Sequence, residues 1–466
     1  MILLDRIQKY IINSSDKLKI SSKQIKKGDI FIALRGSSNH GNKYINDALR
    51  AGAKFCITDK KFTKFKSNEK ILTVKDIQKF LLDLSLVKRS LFKGKVIGIT
   101  GSAGKTSLKE CLKYFLSKKF KVSASIKSYN NNLGVMLSIL NMNIDSDFAI
   151  FEIGTNDFFE IRDLTKLVKP SHIFITNILS SHLENFKTKK NIAIEKSDIF
   201  NKKFNQNAKV LYLQVNSSYE KIIYNIANKQ KINKIIRIGK IGLDSYIDNI
   251  RFKKNKYKIN LKILNKFITI ELIKYEEHQL KNLIFVLTFL IQNQINLNLI
   301  IKNKIKLPAI EGRGSIHNIF LNGVKIKLID QSYNANPETM IQCIKHFSEI
   351  SEKNYQKILL LGDMNELGIK KDNLHFKVIE EVEKHLFDKV ILSGDLFKKT
   401  LNMFPKLKKD YVYCQTSKSI MSYLNKNIHK KAIIMAKCSN FTEVNIFVSK
   451  VWFTITEVNK VTFSIT

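Results

Sequence analysis

Apolar residues along the chain fall into short runs of strand length, separated by longer stretches in which they recur at helical spacing. That alternation predicts an α/β protein. Residues 28–34 and 55–58 read as two strands of a small amino-terminal module, with a helix ending near 48–53 between them and a charged loop at 60–70. From residue 95 the pattern is regular: strands at 96–100, 148–153 and 172–176, with helical segments after 106 and around 161–168, predict a parallel sheet with helical crossovers. Between 208 and 273 it turns to short strands divided by Asn and Gly, and a strongly apolar helix follows at 279–291. Pro308 and the triplet Gly312-Arg313-Gly314 mark a boundary. Beyond it, strands at 324–329, 357–361, 389–392 and 432–435 alternate with helices, the pattern of a second doubly wound domain.

A chain of 466 residues exceeds what one compact core accommodates. Three domains are therefore expected: a small α/β N-terminal module over 1–93, a central P-loop ATPase-like parallel sheet over 94–311, and a C-terminal Rossmann-like domain over 312–466. The net charge of +40 brings nucleic acid to mind, yet the basic residues are spread through every segment without a dominant block. Such a surface attracts polyanions at low salt without conferring specificity, so no specific nucleic-acid partner is expected. Five cysteines, Cys56, Cys111, Cys343, Cys414 and Cys438, show no paired spacing and argue for reduced thiols and a cytoplasmic protein. The apolar run at the amino end is broken by Asp5 and Arg6, unlike a signal peptide. The longest apolar stretch, 283–291, falls short of the roughly 20 residues needed to span a bilayer, so no membrane insertion is expected.

The most informative segment is Thr100-Gly-Ser-Ala-Gly-Lys-Thr106, a glycine loop placed after an apolar strand and before a helical run. Gly101 and Gly104 let backbone N–H groups turn toward one anion, Lys105 reaches the outer phosphates, and the Thr106 hydroxyl is suited to Mg2+. The spacing departs from the strict pattern, because Ile99 stands where the first glycine belongs and Gly98 lies one residue further upstream. Its context, a strand before and a helix after, still predicts a nucleoside triphosphate site, with Ser102 and Ala103 completing the cradle.

Ligand groups in open parallel sheets lie just past the carboxyl ends of strands. Glu152 ends one such strand and is followed by Gly154-Thr155-Asn156; Asn177 follows the next; His182 and Lys196 lie in the loop and helix beyond. Glu152 is suited to Mg2+ opposite Thr106, or to capping the following helix. A lone histidine carries little weight, and Lys196 by composition is one lysine among many.

Together these segments resemble a known family. The loop 100–106, Asn130-Asn-Asn-Leu-Gly-Val135, Glu152-Ile-Gly-Thr-Asn156 and Thr176-Asn-Ile-Leu-Ser-Ser-His-Leu-Glu184 with Lys196 are similar to the Mur ligases of peptidoglycan synthesis, and the match runs through all three domains. Asp330-Gln-Ser-Tyr-Asn-Ala-Asn-Pro337 and Leu361-Gly-Asp-Met-Asn-Glu-Leu-Gly368 with His375 resemble the member that adds D-alanyl-D-alanine to UDP-N-acetylmuramoyl-tripeptide. The resemblance implies ATP and two Mg2+ ions as cofactors. It implies that Lys196 is carbamylated by CO2, which turns a cation into an oxygen ligand, and that His182 is the partner ligand of the second ion. It implies that Asn282 reads adenine, that Arg313 reaches the γ-phosphate on domain closure, and that Asp330 contacts the nucleotide. Segments 21–23 and 28–36 resemble a uridine-diphosphate-binding module, which places Ser22 at the substrate; Asn130, Asn131, Asn177, Asn334 and Asn336 are further substrate candidates by the same match.

The implied chemistry is phosphorylation of the tripeptide's terminal carboxylate to an acyl phosphate, which the amine of D-Ala-D-Ala then attacks, the protein acting mainly through electrostatics and positioning; a monomer is the default expectation. Ser21-Ser22-Lys23, Gln331 and Lys437-Cys438-Ser439-Asn440 depart from the family pattern, and the last change loses an arginine fork. The rival readings are the sibling ligase that adds meso-diaminopimelate or lysine, whose Asp-Asn-Pro-Arg tetrapeptide is absent, and folylpolyglutamate synthase, which lacks the amino-terminal module. A basic P-loop ATPase acting on nucleic acid is a third, from a different class.

Overall fold

In the computed structural model of the chain, residues 2–36, 39–60, 69–126, 128–215, 219–253, 256–273, 277–299, 308, 310, 312–350, 352, 354–404, 407 and 410–451 are described. The loop expected at 60–70 lies mostly outside them. The chain forms two compact units: Met1–Asn177 with Ile192–Lys306, and Ile178–Asn191 with Leu307–Thr466. Three sheets carry the described strands, of four, nine and six strands.

The first unit holds two of them. In the four-stranded sheet Leu18–Lys19, Ile30–Ala33, Phe55–Thr58 and Ile71–Thr73 pair in parallel, in chain order. Ile30–Ala33 and Phe55–Thr58 are buried throughout, as expected for apolar runs covered on both faces. This module is fastened to the helix Asn132–Asn141 of the same unit by two polar anchors. Lys88, fully buried on the helix Ile77–Leu91, donates to the carbonyls of Ile11 (2.9 Å), Ser14 (2.6 Å) and Leu140 (2.7 Å). Asn141 closes a reciprocal pair with the backbone of Leu18, at 2.8 and 3.0 Å. Burial pushes the Lys88 ammonium down to about 8, against the pull of Asp16.

The nine-stranded sheet runs Lys266–Leu272, Lys256–Ile263, Ser245–Lys253, Lys234–Gly239, Val210–Val215, His172–Ile175, Lys95–Thr100, Phe148–Glu152, Val122–Ala124. Its pairings are parallel except at the edge formed by the first three strands. The helix Glu277–Gln292 packs on Lys105–Leu116, and buries Leu283, Phe285, Val286, Leu287, Phe289 and Leu290 beside the stacked rings of Phe174 and Tyr212, whose centroids lie 4.4 Å apart. The expected strands and the apolar helix of this region are present, and a helix at Tyr219–Lys229 is added.

In the second unit the six-stranded sheet has the order Ser315–Leu321, Val324–Gln331, Ala432–Lys437, Gln356–Gly362, Lys389–Ser393, Tyr411–Tyr413. The four expected strands form its parallel centre; two edge strands were not anticipated. Ser315–Leu321 is antiparallel to Val324–Gln331 across the turn Asn322-Gly323, with φ of 49° and 76°. Positive φ at both central positions of an Asn-Gly pair is the type I′ hairpin geometry, a legible signal that the strand pattern alone passed over. Cys56, Cys111, Cys414 and Cys438 are free thiols, and among the described residues no helix is long and apolar enough to cross a membrane.

Candidate active site

The site in the first unit is assembled at the carboxyl ends of three neighbouring strands. Lys95–Thr100 lies between Phe148–Glu152 and His172–Ile175, with Ile99 opposite Glu152 and Thr100 opposite Ile175. The residues after each strand are thereby brought level, as the sequence pattern anticipates.

The glycine loop is shaped from beneath. Gly101 has φ of 146°, and a Cβ there would lie 1.9 Å from Thr176 Oγ1 and 3.1 Å from Thr176 N, so no other residue fits without displacing Thr176. Thr176 Oγ1 donates to the Ala103 carbonyl (2.6 Å), Asn177 Oδ1 accepts from Ala103 N (2.8 Å), and the Asn177 carbonyl accepts from Ser102 N (3.0 Å). Gly104, at φ 80°, is the N-cap of Lys105–Leu116, and a Cβ there would meet nothing within 4 Å. The loop thus opens onto empty space at a helix amino terminus, where backbone N–H groups and the helix dipole favour a phosphate. Lys105 Nζ donates to the Gly101 carbonyl at 2.7 Å. Asn177, anticipated as a substrate contact, is here a support of the loop.

Thr106, Ser128, Asn130 and Glu152 form a single polar cluster beside that loop. Thr106 Oγ1 donates to Glu152 Oε2 (2.7 Å) and lies 3.1 Å from Ser128 Oγ, while Asn130 Nδ2 donates to Glu152 Oε1 (2.7 Å). Glu152 is 1 % exposed. Gly154 approaches so closely that a Cβ would lie 2.7 Å from Asn130 Cγ, which fixes the amide against the carboxylate. One hydroxyl and one carboxylate suit Mg2+, which takes few protein oxygens and draws the rest of its shell from phosphate and water. Among the described residues no three His, Cys, Asp or Glu side chains form a metal cluster.

Lys196 sits near the end of the helix Lys189–Ser197 and is 2 % exposed. Burial first, and then the positive charge of Lys105, push its ammonium well below the ordinary lysine range, with Glu195 opposing. Glu195, which sequence reading passed over, accepts from the backbone N–H groups of Phe159 (2.8 Å) and Ile161 (2.9 Å). It holds the loop after Glu152, where Phe159 adopts φ of 71°. Burial raises its carboxyl above the usual range against those two bonds. Asn131 caps the helix Asn132–Asn141 by accepting from Gly134 N at 2.9 Å; Asn282 lies nearly buried on Glu277–Gln292; Ser22 opens the short turn Ser22–Gln24.

The remaining sequence candidates belong to the second unit. His182, at φ 52°, precedes the short helix Leu183–Phe186, and its Nδ1 lies 2.5 Å from Glu366 Oε2. That bond holds the Glu366 carboxyl below the usual range. Asp330 Oδ1 accepts from Ser332 N (2.9 Å) and Oγ (2.7 Å), and Oδ2 from Gly312 N (3.2 Å). The Arg313 guanidinium lies over the Tyr333 ring, 4.4 Å from its centroid. Asn334 Oδ1 accepts from Ala335 N (2.8 Å), and Asn336 forms a capping box with Thr339 on Pro337–Glu349. In the divergent segment, Lys437 Nζ donates to the Asn334 carbonyl (3.0 Å), Ser439 Oγ accepts from Asn365 N (2.9 Å), and Asn440 accepts from Phe441 N (3.0 Å). His375 is fully buried; Nδ1 donates to the Lys371 carbonyl (2.7 Å) and Nε2 accepts from Met364 N (3.1 Å), which requires the neutral ring.

Comparison with known proteins identifies the family along most of the chain. Residues 16–89 match the Mur ligase family catalytic domain, 99–290 the Mur ligase middle domain, and 318–440 the Mur ligase glutamate ligase domain. The chain is 33% identical to the UDP-N-acetylmuramoyl-tripeptide--D-alanyl-D-alanine ligase of Rickettsia prowazekii over 84% of this chain and 85% of that protein. It is 30% identical to the enzyme of the same name from Buchnera aphidicola over 90% and 89%. Its fold is similar to MurF from Acinetobacter baumannii (TM-score 0.76, 22% identity, 96% and 98% covered) and to MurF ligase from Thermotoga maritima in complex with ADP (TM-score 0.73, 22% identity, 94% and 97% covered). The chain belongs to the Mur ligase family.

Proposed function

We propose that the protein is an ATP-dependent, ADP-forming ligase that joins D-alanyl-D-alanine to UDP-N-acetylmuramoyl-tripeptide, giving the pentapeptide precursor of peptidoglycan. The observation that carries this reading is the open glycine loop at a helix amino terminus, with the Thr106–Glu152 pair beside it and Lys196 buried in the same unit. Relatives bearing that enzyme name, aligned along most of the chain, support the choice of substrates.

In this account the backbone of residues 101–106 binds the triphosphate, and Lys105 leaves the Gly101 carbonyl to hold its outer oxygens. Thr106 and Glu152 would hold Mg2+, which when bound supplies positive charge against the phosphate oxygens. Burial disfavours the ammonium form of Lys196; in the carbamylation that the family resemblance implies, its neutral amine attacks CO2, an N–C bond forms, a proton leaves, and an anionic carbamate replaces the amine. His182 would serve as its fellow metal ligand, Arg313 and Asp330 as contacts to the nucleotide, and Asn282 as the reader of adenine. Asn130, Asn131, Asn177, Asn334, Asn336 and Ser22 are assigned to substrate through the family resemblance, and those that cap helices or brace the loop would act by shaping the site.

The test is to incubate the protein with ATP, Mg2+, UDP-N-acetylmuramoyl-tripeptide and D-Ala-D-Ala and weigh the product. A pentapeptide is expected; no pentapeptide here, with addition of a single amino acid in a parallel reaction given the dipeptide acceptor and meso-diaminopimelate or lysine, would assign the sibling activity instead. Lys196→Ala is expected to lower the ligation rate on the order of 100-fold or more, as for loss of a transition-state electrostatic contact, while the fold persists. Full activity in that variant would remove the carbamate from the account.

A further inference from the structure

The segment Ile178–Asn191 groups with the second unit although its two ends continue into the first. Three side chains or backbone positions of that second unit hold it. Glu338 receives four hydrogen bonds from the segment: Ser180 N reaches both carboxylate oxygens (3.3 and 3.2 Å), Ser180 Oγ donates at 2.7 Å, and Lys189 Nζ lies 2.5 Å away. Glu366 binds His182 through its side chain and Glu184 N through its carbonyl, the latter at 3.2 Å. Gly368, at φ 62°, lies so near that a Cβ would be 3.0 Å from Glu184 Cα.

The contacts of Glu338 bracket His182, two residues after Ser180 and seven before Lys189. One carboxylate therefore pins both ends of a strap whose middle contains two residues of positive φ, His182 and Lys187 at 52° and 61°. Such conformations cost on the order of 1–3 kcal/mol each and persist only when their surroundings impose them. Lys189 is also the first residue of the helix Lys189–Ser197, and Lys196 lies on the same helix two turns on. The carboxylate itself is in a favourable place, in the first turn of Pro337–Glu349, near the positive end of that helix.

We infer that Glu338 is a positioning residue for the ligation reaction, acting through the strap 178–191 to fix His182 and the start of the helix that carries Lys196. The inference rests on the ligase reading for its catalytic consequence, and on the strap contacts alone for its structural one. It goes beyond the Asn334-to-Pro337 motif, which stops one residue short of the group that does the holding.

The test compares wild type with Glu338→Ala and Glu338→Gln by steady-state ligation and by hydrogen exchange of the strap amides. Glu338→Ala is expected to lower kcat about tenfold or more, as loss of a group orienting a ligand does, with the KM for ATP within about twofold of wild type. The Ser180 amide should exchange faster. Glu338→Gln retains an acceptor for Ser180 and loses the charge facing Lys189, and is expected to recover most of the kcat and the Ser180 protection. Should Glu338→Ala not fold, Ser180→Ala and Lys189→Ala remove the two side-chain contacts from the other side, leaving the Ser180 N–H bonds, and are expected to lower kcat without additivity when combined. Unchanged strap exchange in Glu338→Ala, or wild-type kcat with altered exchange, overturns the inference. A wild-type protein that makes no pentapeptide refutes the ligase reading, and the exchange arm then decides the positioning claim by itself.

Discussion

The glycine loop of the first unit and the Asp330–Pro337 segment of the second are both family motifs, yet their side chains are spent differently. In the loop the support comes from outside the motif, from Thr176 and Asn177 just past the neighbouring strand, and the Thr106 hydroxyl reaches out to Glu152. In the second segment the motif residues mostly serve one another: Asp330 clamps Ser332 and Gly312, Asn334 bonds to Ala335, and Asn336 caps a helix. The first motif is a binding surface braced from beneath; the second is a scaffold whose outward group, Glu338, stands just after it. A motif match thus fixes which residues matter more securely than it fixes what each one does.

The sharpest way to break the comparison is at Gly101. Gly101→Ala places a Cβ against Thr176 Oγ1 in a backbone region that side chains seldom adopt. Strain and overpacking together should cost about 3 kcal/mol. Calorimetric titration should find ADP affinity reduced on the order of 100-fold, and affinity within twofold of wild type would show that the loop is not braced as described.

Acid should next strain the first unit through His172. Burial, with the charges of Lys95 and Lys209, pushes its imidazole from the ordinary 6.5 down to about 4, where it packs beside Tyr212 and Phe289. The unfolded chain takes up a proton below 6.5 and the folded chain does not until about 4. The stabilisation is therefore complete above pH 6.5 and is lost as pH falls through that window, to a total of about 3 kcal/mol. Urea unfolding at pH 7 and pH 5 should show the loss, and His172→Phe should flatten it. The buried His375 of the second unit shifts in the same direction and adds to acid sensitivity there.

The smallest of these effects belongs to the scaffold. Asn336→Ala removes the capping box of Pro337–Glu349 and should lower the stability of the second unit by about 1 kcal/mol, read as a lower urea midpoint, with ADP affinity of the loop unchanged. A large loss of nucleotide affinity with unchanged stability would make Asn336 a ligand contact and erase the contrast between the motifs.

Much of the fold was legible because apolar strands bounded by glycine and loop residues are a local signal. The strands at 95–100, 148–152 and 172–175, and with them the levels of Thr106, Glu152 and Asn177, follow from that pattern. Ser315–Leu321 was legible in principle through Asn322-Gly323, whereas Tyr411–Tyr413 is only three residues long and carries no alternation to read. Lys88, Glu195 and Glu338 were not legible. The chain has 80 Lys and Arg and 40 Asp and Glu, and what separates these three is a partner far away in sequence, such as the carbonyls of Ile11 and Leu140 for Lys88. The depressed ammonium of Lys196 is of the same kind, since it arises from burial and from Lys105.

The central claim is that ATP is consumed to make a carboxylate reactive toward an amine, and the most direct measurement is phosphate release in the presence of UDP-N-acetylmuramoyl-tripeptide with and without D-Ala-D-Ala. The account predicts turnover that requires the dipeptide and matches pentapeptide formed one for one. Equal ATP turnover with and without the dipeptide would contradict it.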